Sequence, residues 1–192
     1  MAIDIAGFIT YLKDHAVEHG FHVHDERHFI ETFSLRQSWE VDLHPESACD
    51  GPLDLNVAFD VDPRVLLALE DEVAKMDGDF EEPKGEFRLP LLFNWALPVL
   101  QAPPDLVILA TELAGVGGPG LPIEVSGVAS TAVLSSGSDL RLSITGRVEV
   151  SLVEVMTGQE TLCDVLDRCR EVSEFLVAGA DEWKVGFPDE LP

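Results

Sequence analysis

The stretch HAVEHGFHVHDERHF, residues 15–29, holds five of the six histidines of the chain. His15 and His19 stand four residues apart, so on a helix both imidazoles leave the same face, the spacing a zinc ion requires. Glu18 lies beside them, where a carboxylate could activate a metal-bound water. His22 and His24 follow, and on a strand they point to one side because side chains alternate. His15, His19, His22 and His24 are therefore the candidate metal ligands. The plainer reading is a helix–strand junction. An imidazolium at position 19 suits the negative end of a helix, and an acidic chain favours protonated histidines, which gives a pH-sensitive surface. That plainer reading is preferred, and no cofactor is expected.

The string HxxEH resembles the inverted zinc-protease signature. The resemblance covers five residues and implies a glutamate well downstream as a third ligand. Residues 89–104 contain no acid, and Asn94, Trp95 and Ala96 stand near the required spacing. Other motifs are weaker. Asp60 and Asp62 could offer oxygen ligands to a hard cation, but Asp62 is needed to cap a helix that starts at Pro63. GVGGPG at 115–120 leads into a predicted strand and has no lysine near it, unlike a phosphate loop. Cys49 lies five residues from His44, which makes them a conceivable thiol–imidazole pair. Cys163 and Cys169 fall on a predicted helix, badly aligned for a disulfide and without an electropositive neighbour.

The remaining feature is apolar. FRLPLLFNWALPVL (87–100) is almost free of charge. It reads as a buried strand or as the lining of a surface, with Pro90 and Pro98 arguing against a regular central strand. Phe87, Leu91, Phe93, Trp95 and Leu97 are the candidate binding residues, as core, dimer interface, partner groove or pocket wall.

Charge and size narrow the partners. The chain has 192 residues and a formal net charge of −24, with 36 acidic residues against 12 basic. Such a field repels phosphate backbones and anionic headgroups, so neither nucleic acid nor a membrane surface is expected as partner. The acidity is spread along the chain, except that 101–150 holds only seven charged residues. Three cysteines without a CxxC pair, an acid at position 4, and no membrane-length apolar run point to a reduced, cytoplasmic protein.

The elements follow from periodicity. An amphipathic helix over 3–19 leads to short alternating segments around Phe29–Phe33, Ser38–Leu43 and Leu55–Val61. A helix begins at Pro63, with Leu66, Leu69, Val73 and Met76 inward. An acidic loop (77–86) and a short helix at 105–115 precede two long strands joined at Gly137–Ser138. Gly146 marks a bulge, and a capping box of Thr157 and Glu160 opens a last helix that Gly179 ends. The fold class is α+β: a mainly antiparallel sheet with N- and C-terminal helices and one or two middle helices packed on it. One domain over 1–192 is expected, with 77–122 as an insert. The element order resembles that of the small acidic chaperones of type III secretion and the YbjN-like proteins, which leaves 87–122 unexplained. The expected function is that of a non-catalytic, chaperone- or adaptor-like binding protein with an apolar surface for a protein partner or for self-association, a homodimer included. A carrier or enzyme with an apolar pocket is a second reading, and a metal-dependent enzyme using the histidines a third.

Overall fold

Asp4 starts the first helix, α1 (Ile5–Glu18), by accepting a hydrogen bond from Gly7 N at 2.8 Å. The apolar stripe Ile5, Phe8, Ile9, Leu12 and Ala16 is buried along its length. The computed structural model describes residues 4–49, 51, 53–76, 83–100, 103–131, 138–159 and 162–184. After α1 come β1 (Phe21–Ile30), β2 (Gln37–Pro45), β3 (Asp54–Val61), α2 (Pro63–Val73), β4 (Arg88–Ala96), α3 (Leu106–Gly117), β5 (Ile123–Thr131), β6 (Ser138–Ser151), α4 (Leu152–Thr157) and α5 (Leu162–Lys184). The protein is α+β. Its six strands form one antiparallel sheet in the order β1-β2-β3-β4-β6-β5.

One face of the sheet is packed and the other is wet. Along β3 and β4, buried residues alternate with exposed or half-exposed ones, as a one-sided sheet requires. Phe8 of α1 meets Phe59 of β3, with ring centroids 5.0 Å apart. Trp95 of β4 donates from Nε1 to Ser173 Oγ of α5 at 2.9 Å, and that hydroxyl donates on to the Cys169 carbonyl at 2.8 Å. Ser173 is the one fully buried polar residue among those described, and both of its hydrogen-bonding roles are filled.

Several expectations about individual elements are corrected. β4 is a regular central strand, paired with β3 on one side and β6 on the other. Pro90 is tolerated because the β3 ladder stops one residue short of it, at Phe59↔Leu91, and Pro98 lies beyond the strand. The segment 87–122 is thus no peripheral addition. It supplies the strand next to β3 and the crossover helix α3, and β6 fills the place between β4 and β5. Gly146 carries no bulge; a Cβ there would sit 2.9 Å from Leu121 Cδ1 and 3.2 Å from Trp95 Cζ3, so glycine at this position lets both side chains pack closely on the strand. The register shift lies instead between Val23 and Asp25 of β1. Phe33 is not a strand residue, because pairing ends at Ile30↔Gln37 and 31–36 turns the chain.

The C-terminal region also differs. Ser151 caps α4 by accepting from Glu154 N, and Thr157 hydrogen-bonds the end of that helix through the Val153 carbonyl. Glu160 of the expected capping box lies outside the described residues, as do 77–82 of the acidic loop and the Gly137 turn. α5 continues through Gly179, over which the Trp183 ring packs closely.

Candidate functional site

Phe87, Leu91, Phe93, Trp95 and Leu97 are all buried, the middle three at 1% exposure or less. Alternation on β4 turns Leu91, Phe93 and Trp95 toward the helices, so these side chains are core and present no outward surface.

Exposed apolar surface lies elsewhere. The β1–β2 hairpin tip carries Phe29, Ile30, Phe33 and Leu35, exposed by 50, 59, 98 and 62%. The tip is well defined. Glu31 N donates to the Arg36 carbonyl and Leu35 N to the Glu31 carbonyl, each at 2.9 Å. Ser34 Oγ donates to the Glu31 carboxylate and accepts from Arg36 N at 3.1 Å. Arg36 Nε reaches Asp60 Oδ1 on β3 at 2.8 Å. Within the turn, Leu35 adopts φ +58°, the left-handed region that a bulky side chain normally avoids. Polar bonds thus hold the backbone while the apolar side chains face water.

The histidines separate into three groups. His28 stacks on Trp39, with centroids 3.8 Å apart and planes 11° apart, and its Nε2 lies 3.0 Å from Gln37 Oε1. That one is structural. A second group gathers at the bulge end of β1. Cys49 Sγ lies 2.7 Å from His22 Nδ1 and 3.7 Å from His24 Nε2, and the His24 ring meets His44 edge-on at 4.6 Å. The expected Cys49–His44 pairing is replaced by His22 and His24, because the 3-10 turn Glu46–Ala48 folds Cys49 back toward β1. His22 Nε2 also lies 3.7 Å from Glu46, and His44 Nε2 3.8 Å from Asp54.

The third group is formed by two helices. His15 and His19 end α1, and the first turn of α5 brings Cys163 to them. One ligand atom from each of the three lies within 4.8 Å of the others. His19 Nδ1 stands 2.8 Å from Asp167 Oδ1, one turn further along α5. His15 Nδ1 is buried without a hydrogen-bond partner among the described residues; Glu18 Oε2 is 3.2 Å away but poorly aligned. Tyr11 packs edge-on against the His15 ring at 4.1 Å. Asp167 also faces Arg170, at 3.9 Å. Sequence reasoning found the two histidines and missed the cysteine. Cys163 and Asp167 are spaced i, i+4 like the histidines, but nothing in the chain announces that the two helix ends meet.

The other candidates resolve simply. Asp60 accepts from Arg36, and Asp62 caps α2 at Arg64 N, 2.9 Å away, so both carboxylates are occupied. Cys169 is fully buried, and burial pushes its thiol far above the ordinary range, which makes it inert as a nucleophile. An open groove of about 580 Å³ beside the start of α5 is lined by Asp164, Asp167, Arg168 and Glu171 with Pro119, Gly120 and Val165. Its charged wall does not suit an apolar ligand.

No protein-family model matches the chain, and neither a curated protein nor a solved structure is similar to it. No helix among the described residues is long and apolar enough to cross a membrane.

Proposed function

We propose that this chain is a non-catalytic, chaperone- or adaptor-like binding protein that engages a protein partner through the β1–β2 hairpin tip. The observation that carries the reading is Phe33, 98% exposed at the centre of an apolar tip whose backbone is fixed by polar bonds. Leaving a phenylalanine in water forgoes about 1.5–3 kcal/mol of burial. A partner pocket recovers that energy, and the ordered turn lowers the entropy lost on docking. The net charge of −24 selects a partner with a basic rim around its apolar pocket. Three unpaired cysteines among the described residues are consistent with the reducing cytoplasm.

The test uses a photo-reactive benzoylphenylalanine in place of Phe33, in the protein's own host. A single basic partner is expected to crosslink. With that partner purified, Phe33→Ser is expected to weaken binding by tenfold or more, in line with loss of a central aromatic anchor worth about 2 kcal/mol. Crosslinks to other copies of the chain alone, or equal affinity in the Phe33→Ser variant, would remove the reading.

Self-association has a separate observation behind it. β5 is an edge strand in the least charged part of the chain, with Val128 exposed by 64%. Leu106 packs over Gly127, which brings the exposed Val107 and Ile108 of α3 to the same edge. A homodimer paired along β5 predicts that Val128→Asp shifts the mass measured by light scattering from dimer to monomer. A monomeric wild type would end that second reading.

A further inference from the structure

We infer that His15, His19 and Cys163 bind a divalent transition metal of the zinc type, with Asp167 as the positioning residue for His19. Four observations converge. Three ligand atoms of suitable type lie within 4.8 Å of one another. Bond lengths of about 2.0–2.3 Å around a tetrahedral ion place ligand atoms roughly 3.5 Å apart, so a closure of about an ångström completes the set. Second, His19 donates from Nδ1 to the Asp167 carboxylate at 2.8 Å. That bond fixes the tautomer and leaves the Nε2 lone pair for an ion, the common outer support of a metal-binding histidine. Third, His15 Nδ1 is buried and has no hydrogen-bond partner among the described residues, Glu18 Oε2 lying 3.2 Å away out of line, so an ion held at that nitrogen would satisfy it. Fourth, the adjoining groove presents Asp164, Asp167 and Glu171 against the single cation Arg168, and the whole chain is anionic, so the local field favours cations.

The donor set selects the ion. Two imidazoles and a thiolate favour zinc, cobalt or nickel, and disfavour magnesium and calcium, which require oxygen ligands. Binding takes the proton from the Cys163 thiol and releases it to solvent as the sulfur–metal bond forms. Cys163 is exposed, so ion entry is unobstructed and water can take the fourth position. Glu18 faces His15 rather than that position, and the third ligand is a cysteine, so the set departs from the zinc-protease pattern that HxxEH resembles. The ion would tie the end of α1 to the start of α5.

The experiment is a cobalt titration of the untagged full-length chain after dialysis against a chelator. One equivalent is expected to bind, giving the visible bands of tetrahedral cobalt and a near-ultraviolet sulfur-to-cobalt charge-transfer band, both abolished by zinc. Cys163→Ser is expected to lose the charge-transfer band with an unchanged circular dichroism spectrum, since the residue is exposed. Asp167→Asn should keep the spectrum and weaken affinity about tenfold. Cys49→Ser is the control for the neighbouring His22–His24 group and should change nothing. Absence of one-equivalent binding, survival of the charge-transfer band in Cys163→Ser, or its loss in Cys49→Ser would each overturn the assignment.

Discussion

Residues 87–97 and residues 29–35 are alike in composition and opposite in fate. Large apolar side chains make up seven of eleven positions in the first and four of seven in the second. The first stretch becomes the central strand β4, with neighbours on both edges and α5 across one face, and Phe93 and Trp95 are fully buried. The second ends one strand and turns into the next, with its ladder finished at Ile30↔Gln37, and Phe33 is 98% exposed. Position in the sheet decides which apolar run stabilises the fold and which is left over for contact. A strand with two partners is enclosed by them, whereas a turn residue projects beyond the layer that could cover it.

Four substitutions test that division, in falling order of effect. Phe93→Ala should cost about 3–5 kcal/mol, since a fully buried ring is deleted from a layer that cannot collapse around the gap. Urea denaturation reads this, and a loss below about 1 kcal/mol would contradict the placing of β4 in the core. Ser173→Ala should cost about 1–3 kcal/mol by leaving the indole N–H of Trp95 buried without an acceptor. A thermal melt in which this variant matches the wild type would show that a water or another group replaces the hydroxyl.

The tip should respond in the other direction. Leu35→Gly removes the penalty of a positive φ, and after the entropy of an added glycine the variant should gain about 0.5–1 kcal/mol. A destabilised variant would mean that the Leu35 side chain packs usefully. Phe33→Ser should leave stability within about 0.5 kcal/mol of the wild type while weakening partner binding by about tenfold or more. If it unfolds the protein more readily, the tip belongs to the fold and not to a contact surface.

Much of the fold was legible in the chain. The Ile5–Phe8–Ile9–Leu12–Ala16 stripe, the Asp62–Pro63 helix start and the alternation of Leu55–Val61 are local patterns, and each produced the expected element. The errors fell where local pattern was silent about neighbours. Phe29, Glu31 and Phe33 alternate like a strand, yet the ladder ends at Ile30↔Gln37 and the chain turns through 31–36, closed by the Glu31–Arg36 backbone bond. The apolar run at 87–100 was visible, but which sides of it are covered depends on β3, β6 and α5, all distant in sequence. The candidate metal site divides in the same way. His15 and His19 share a helix face by spacing alone, whereas Cys163 and Asp167 reach them across nearly 150 residues.

The α+β class, the anionic exterior and the faces of the main helices are written in the chain locally, because hydrophobic period and charge act within a few residues of where they stand. Only the tertiary structure decided that 87–97 is interior, that the tip at 29–35 is bare, and that two helix ends bring a thiol to a pair of imidazoles. Those outcomes depend on which segments pair and pack, and long-range pairing is fixed by the burial of the whole chain rather than by any short stretch of it.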